Sequence, residues 1–153
     1  MPIFVSSETY EFEPIDYLTN GKNCVYTAQM LKDGPDKIKT NYSMRVLLVH
    51  GIELLLKSII QNFDIKKFNE IIKDIKVRHD IKKLYNIAEK IDKLQNLNIL
   101  TSELNNAINK ITTNYYPDSV KARYKNTSGH LEFSIFMILR ELLIQPLERV
   151  IHL

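Results

Sequence analysis

Hydrophobic and polar positions alternate with a helical period along most of the chain. The clearest case extends from about Lys37 to Phe63, where apolar residues recur at i, i+3 and i+4 and further apolar residues cover the other side. A helix that is apolar nearly all round is covered by neighbours on several faces, so this segment is predicted to be the central helix. Gly51, near its middle, predicts a point where a neighbouring helix approaches closely.

Four more helices are predicted from the same periodicity and from capping and breaking residues. The first extends from an Asp16 cap to about Lys32 and ends at the sequence Asp33-Gly34-Pro35-Asp36. The other three are predicted over residues 79–93, 101–113 and 131–153. Pro146 lies inside the last of them and predicts a kink there.

The segments beside these helices complete an all-α prediction. Residues 1–15 contain three glutamates and two prolines and are predicted to be an extended arm, followed by one domain over residues 16–153. Residues 64–78 are predicted to be a basic connecting segment with room for one short helix, and residues 115–129 a loop. We expect an up-and-down helical bundle of about five helices. Two helices are more apolar than a small bundle needs. The excess favours a homodimer interface, and the alternative is that it is buried in one large core of a single chain.

The composition indicates a globular protein of one domain. A chain of 153 residues corresponds to one domain, and 44% hydrophobic with 25% charged residues is typical of a globular protein rather than a disordered one. The single cysteine, Cys24, excludes a disulfide within the chain and favours a reducing compartment. No apolar segment approaches the ~20 residues of a membrane span, and the first residues lack a signal-peptide pattern. We therefore expect a soluble, cytoplasmic protein with no membrane partner.

Sequence motifs for metal or cofactor binding are absent. No histidine lies in Glu-x-x-His or His-x-x-x-His spacing, and the four histidines are His50, His79, His130 and His152. The sequence contains neither a Cys-x-x-Cys pair nor a glycine-rich phosphate loop. We therefore expect no metal site and no cofactor.

Two Arg–His pairs have a spacing at which a phosphate-binding group and an acid–base group can act together. Arg45 and His50 are separated by four residues within the apolar helix. They point ~140° apart, so structural roles are expected for them. Arg123 and His130 are separated by six residues and flank a loop that leads into the last helix. A histidine is accessible there, and the amides of a helix N-terminus favour an anion.

The loop around Arg123 is basic and rich in tyrosine. Between positions 110 and 125, four basic residues against one aspartate give a local charge of +3, equal to the net charge of the whole chain. Basic side chains contact phosphates, and tyrosine rings stack on bases. The candidate substrate-binding residues are therefore Lys121, Tyr124, Lys125 and Asn126. The alternative is a solvated loop whose tyrosines pack on the bundle, with Thr127 or Ser128 capping the last helix.

Three motifs resemble those of the HEPN (higher eukaryotes and prokaryotes nucleotide-binding) domain family. The segment Glu53-Leu54-Leu55-Leu56-Lys57 resembles the Glu-(apolar)₃-Lys core of the family's second helix. The segment His79-Asp80-Ile81-Lys82-Lys83-Leu84 resembles the His-Asp-Leu-x-x-Leu start of a later helix. Tyr116-Pro117 through Ala122-Arg123-Tyr124 resembles the Arg-Tyr segment before the last helix. The motifs occur in the expected order, and the resemblance spans about residues 16–150.

The resemblance implies a helical bundle, usually a homodimer, in which many members are metal-independent ribonucleases. Those members carry an Arg-x(4–6)-His motif at the junction into the last helix, and two copies together form a composite active site. Carried over to this chain, His130 would be the general base on the ribose 2′-hydroxyl. Arg123 would hold the scissile phosphate and stabilise its developing charge. RNA or a nucleotide is thus the implied partner.

The residue after Arg123 favours a second interpretation. Active members usually have a polar residue, often Asn, at this position, whereas Arg-Tyr is closer to the HEPN branch that accompanies nucleotidyltransferases, often without catalysis. That branch lacks a histidine at the distance of His130. The alternative function is therefore a non-catalytic module that binds a nucleotide or a nucleotidyltransferase partner. Within the helical motifs, Glu53 is expected to pair with Lys57, and His79 to cap or orient its helix.

Overall fold

The computed structural model describes residues 12–34, 41–112 and 133–151. Six helices are described, namely α1 (Pro14–Asp33), α2 (Asn41–Phe63), α3 (Ile65–Lys73), α4 (Ile81–Gln95), α5 (Ser102–Thr112) and α6 (residues 133–150). These residues contain no strand, which confirms the all-α prediction. The sixth helix is α3, the short helix for which the basic connecting segment had room. None of the helices described is long and apolar enough to cross a bilayer.

The central position of α2 follows from its sequence. Every residue from Gly51 to Ile60 is buried, and α1, α3, α4 and α5 all contact this helix. A helix with apolar residues on all faces loses the most water-exposed surface when neighbours surround it. The prediction that this segment is the central helix is therefore confirmed.

Helices α1 and α2 pack against each other at a pair of glycines. A Cβ atom added to Gly51 would lie 3.0 Å from the carbonyl oxygen of Gly21. A Cβ atom added to Gly21 would lie 3.0 Å from the carbonyl oxygen of Gly51 and 2.8 Å from Cγ of Leu55. The close approach predicted at Gly51 is confirmed, and its partner is Gly21.

We expect Gly51→Ala to lower the free energy of unfolding, measured by urea denaturation. Overpacking a tight contact costs about 1–3 kcal/mol, more than the roughly 0.5–1 kcal/mol that alanine gains over glycine inside a helix. Gly34→Ala is the matched control, because the nearest contact of its added Cβ would be the Met30 carbonyl oxygen at 3.3 Å and its φ of −76° suits alanine. An alanine at position 51 that stabilises the protein would contradict the close approach.

The start of α1 corrects the predicted role of Asp16. The N-cap is Glu13, and the helix begins with Pro14, inside the stretch assigned to the arm. Oδ2 of Asp16 accepts the backbone N–H of Glu13 at 2.8 Å, so Asp16 is the third helical residue of a capping box rather than the cap. The backbone N–H of the first residue in a helix has no acceptor inside the helix, so proline, which has no N–H, loses no hydrogen bond there. The helix can therefore begin at Pro14, before Asp16. Residues 1–11 of the predicted arm lie outside the described residues.

A buried carboxylate binds the backbone of the segment that connects α4 and α5. Asp92 is 6% exposed, and its two oxygens accept the backbone N–H groups of Ile99 and Leu100, each at 3.1 Å. Helix α4 ends at Asn96, which adopts the left-handed conformation with φ 54°. The acceptor oxygens of Asp92 satisfy amides that would otherwise be buried without a partner, so the short connection is held in one conformation.

Pro146 is accommodated by a widened turn of α6. This helix consists of Phe133–Ile138, the π-helical segment Leu139–Ile144, and Gln145–Val150. The backbone N–H of Gln145 donates to the carbonyl of Arg140, five residues earlier. Proline has no N–H and its ring clashes with the carbonyl four residues before it, so a wider turn next to it relieves the clash. Where the sequence predicted a kink, the structure has a π-helical turn.

Candidate functional site

The residues predicted to carry catalysis lie outside the described residues. Arg123 and His130 fall between residues 112 and 133, as do the candidate substrate-binding residues Lys121, Tyr124, Lys125 and Asn126. This stretch joins the end of α5 at Thr112 to the start of α6 at Phe133. Helices α5 and α6 contact each other, so residues 113–132 connect neighbouring helices of the bundle. The loop predicted over residues 115–129 also lies outside the described residues. The roles of its residues stay predictions.

The other Arg–His pair occupies two different environments on α2. Arg45 is 3% exposed, and burial lowers the pKa of its guanidinium. The side chain of His50 is 52% exposed. One buried and one half-exposed side chain agree with the two different helix faces predicted for them, and the structural roles expected for the pair stay a prediction.

The two helical motifs meet in a cluster of ionisable side chains around Glu53. Its carboxylate accepts a hydrogen bond from Nζ of Lys57 at 3.1 Å, and Nδ1 of His79 lies 3.2 Å from each of its oxygens. Nδ1 of His50 is 3.9 Å from Oε2 of the same carboxylate. We refer to Glu53, Lys57, His79 and His50 as the Glu53 cluster.

Burial makes Glu53 and Lys57 depend on each other. Lys57 is 0% exposed and Glu53 is 7% exposed, and a buried charge is costly unless it is paired and hydrogen-bonded. The i, i+4 spacing on α2 brings ammonium and carboxylate into contact without any change in the helix. The predicted pair between Glu53 and Lys57 is confirmed, and its burial gives it a larger structural role than a surface pair has.

The side chain of His79 faces the Glu53 carboxylate instead of capping α4. The N-cap of α4 is Asp80, whose Oδ1 accepts the backbone N–H of Lys83 at 3.1 Å. Of the two roles predicted for His79, capping is wrong, because the neighbouring aspartate has the shorter side chain that reaches the helix amides. The contact with Glu53 on α2 agrees with the other, that His79 orients its helix. The His79 side chain is 54% exposed. An imidazole bound to a carboxylate through Nδ1 is oriented in the way that acid–base histidines are, with Nε2 as the second ring nitrogen.

Part of this cluster was accessible to sequence reasoning and part was not. His50 and Glu53 have the spacing His-x-x-Glu, which places them on one helix face. A search in the order Glu-x-x-His misses this pair. The contact of His79 with Glu53 joins residues 26 positions apart, and no local spacing predicts it.

Neither metal binding nor a reactive thiol is favoured by the described side chains. Within residues 12–34, 41–112 and 133–151, no group of three or more His, Cys, Asp or Glu residues could hold a metal ion. In the Glu53 cluster the ammonium of Lys57 already contacts the carboxylate. Cys24 is partly buried against the glycine contact between α1 and α2. Burial raises the pKa of its thiol, which disfavours the nucleophilic thiolate.

Comparison with known proteins gives no family assignment for this chain. No family model matches it, and neither does any curated protein or solved structure. The functional candidates are therefore the Glu53 cluster, which the structure describes, and the Arg123–His130 segment, which the sequence alone predicts.

Proposed function

We propose that this protein is a HEPN-type helical protein that acts on RNA as a metal-independent endoribonuclease, with a composite site in a homodimer. The observation that carries the proposal is the contact between two of the three motifs that resemble the family. Glu53 of the first motif and His79 of the second lie 26 positions apart in the chain, and Nδ1 of His79 is 3.2 Å from the Glu53 carboxylate. Lys57, also of the first motif, donates to the same carboxylate at 3.1 Å. The helical bundle supports the same proposal.

The proposed reaction is an attack of the ribose 2′-hydroxyl on the adjacent phosphodiester. His130 accepts the proton of the 2′-hydroxyl while the 2′-oxygen forms a bond to phosphorus and the bond from phosphorus to the 5′-oxygen breaks. The leaving 5′-oxygen takes up a proton from water, and His130 then returns its proton to water, which regenerates the base. The guanidinium of Arg123 binds the phosphate oxygens and stabilises the negative charge that develops on them. The products are a 2′,3′-cyclic phosphate and a 5′-hydroxyl.

The first experiment measures cleavage of a single-stranded RNA by the purified full chain in the presence of EDTA. We expect cleavage to continue in EDTA and to leave 2′,3′-cyclic phosphate ends, because the proposed base and phosphate-binding group are side chains. End-group analysis by mass spectrometry identifies the products. Cleavage that stops in EDTA and returns with added Mg²⁺ would contradict the proposal, as would 3′-hydroxyl products. A strictly monomeric mass in solution would remove the composite site.

A second candidate function is favoured by the residue after Arg123. Tyr124 stands where active members usually have another polar residue, and it resembles the branch that accompanies nucleotidyltransferases. In that case the chain binds a nucleotide or a nucleotidyltransferase without cleaving RNA. Binding of RNA with no cleavage, together with a nucleotidyltransferase encoded beside this protein, would favour this second function over the first.

A further inference from the structure

A shallow cleft, widely open to solvent, lies between the last turns of α1 and the π-helical turn of α6. Its lining combines an aromatic ring, a thioether, an amide, a carboxylate and a guanidinium. The lining residues are Tyr26, Gln29, Met30, Asp33, Gly34 and Arg140. None of them belongs to the Glu53 cluster, so the cleft is a separate feature of the surface.

A stacked pair of side chains forms one wall of the cleft. The guanidinium carbon of Arg140 lies 4.7 Å from the ring centroid of Tyr26, and Nζ of Lys22 lies 5.5 Å from the same centroid. Lys22 is also bound to Glu148 at 3.0 Å. A planar guanidinium next to an aromatic ring offers flat, polarizable surface beside positive charge. Such surfaces are the stacking platforms that single-stranded nucleic acids use.

An exposed apolar side chain also lines the cleft. Met30, one turn after Tyr26 on α1, is 73% exposed. Arg140 is the second residue of the π-helical segment Leu139–Ile144 and contributes to the lining from α6. An uncovered thioether thus lies beside the Tyr26–Arg140 pair.

The cleft lies toward the end of the bundle from which the Arg123–His130 loop enters α6. Two contacts, Lys22 with Glu148 and Tyr26 with Arg140, show that α1 and α6 run antiparallel. The start of α6 at Phe133 therefore lies toward the end of α1. Phe133 is seven residues from Arg140, which corresponds to about 10 Å along a helix. The start of α6, where the described chain resumes, is thus about two turns of helix from the cleft.

We propose that this cleft is a nucleobase subsite for single-stranded RNA. A base stacks on the Tyr26–Arg140 pair and against Met30, while the Gln29 amide and the Asp33 carboxylate are available to the polar edge of the base. Because a carboxylate in the lining repels phosphate and accepts hydrogen bonds from base N–H groups, a base fits the cleft better than a phosphate does. The inference rests on the proposed function, since it assumes RNA as the substrate.

The test is a fluorescence-anisotropy titration of the full chain with a labelled single-stranded 2′-O-methyl oligoribonucleotide, which cannot be cleaved by 2′-hydroxyl attack. Tyr26→Leu and Arg140→Gln are each expected to weaken binding about ten-fold, the effect of losing one stacked base. Tyr26→Phe keeps the ring and should retain the affinity. Arg149→Gln is the matched control, because it removes the same charge from an exposed position of the same helix, outside the cleft.

Several outcomes would overturn the subsite. These are equal losses in Arg140→Gln and Arg149→Gln, equal affinity for the corresponding duplex, or no binding by the unaltered chain. A Tyr26→Leu variant that changes the mass of an oligomer and leaves the RNA affinity unchanged would make the cleft a protein contact instead. Thermal denaturation checks that each variant is folded. If Tyr26→Leu is unstable, the comparison of RNA affinity between Arg140→Gln and Arg149→Gln tests the subsite.

Cleavage assays on the same variants separate this inference from the proposed function. If the unaltered chain cleaves RNA and Tyr26→Leu binds RNA with full affinity, the subsite is ruled out while the proposed ribonuclease activity stands. Binding that depends on Tyr26 and Arg140 without any cleavage supports the subsite and removes the ribonuclease.

Discussion

Glu53→Gln is expected to lower the free energy of unfolding by about 3–5 kcal/mol, the cost of removing one partner from a buried ion pair. The substitution leaves the ammonium of Lys57, which is 0% exposed, without its carboxylate. It also removes the charged acceptor of His79, whose Nδ1 lies 3.2 Å from both carboxylate oxygens. Since native domains are stable by only about 5–15 kcal/mol, this single change should remove a large part of the stability.

Glu89→Gln is the control for this prediction. Glu89 pairs with Lys93 at the same i, i+4 spacing at 3.9 Å, but the side chains are 36% and 76% exposed. An exposed helical pair contributes about 0.3–0.5 kcal/mol, so little change is expected. Urea denaturation followed by circular dichroism measures both variants. Equal effects of the two substitutions would show that burial does not govern the pair.

A double substitution separates the cost of breaking the pair from the value of the pair itself. Glu53→Leu combined with Lys57→Met replaces both charges by apolar side chains of similar volume. Replacing a buried ion pair in this way is often neutral or stabilising. We therefore expect the double variant to be more stable than Glu53→Gln alone. A double variant less stable than the single one would instead indicate that the cluster stabilises the fold directly.

His130→Ala is expected to reduce kcat/KM for RNA cleavage by about 10²–10⁴-fold, the usual contribution of a general base. Arg123→Ala should cost about 10²–10³-fold, because it removes charge stabilisation at the phosphate. Neither residue lies in a described helix, so neither substitution removes a described core contact. Initial cleavage rates of a labelled single-stranded RNA measure both effects.

His152→Ala is the matched histidine control, since His152 lies beside the last residue of the chain and outside the Arg-x(4–6)-His motif. It should cleave RNA at the rate of the unaltered chain. Full cleavage by His130→Ala would exclude His130 as the base. Equal loss in His130→Ala and His152→Ala would point to a general effect of removing imidazoles rather than to catalysis at the loop.

Local spacing along the chain was sufficient for the helices and for contacts within one helix. The apolar period of α2 predicted both its existence and its central place, because a helix with apolar residues all round is stable only when it is surrounded. The pair of Glu53 and Lys57 was predicted for the same reason, since i and i+4 side chains meet on any helix. Boundaries were less accurate: α1 starts at Pro14 because Glu13 and Asp16 share the cap.

Contacts between helices required the packed molecule. Gly51 predicted that a neighbouring helix approaches closely. That the residue opposite it is Gly21 follows only from the way α1 crosses α2. His79 reaches Glu53 across 26 positions, and Arg140 stacks on Tyr26 from the far end of the chain. Periodicity describes which face of a helix is buried, whereas the neighbour that covers that face is chosen by the packing of all six helices together. The helices could thus be predicted from the sequence, whereas the Glu53 cluster and the cleft depend on how those helices pack together.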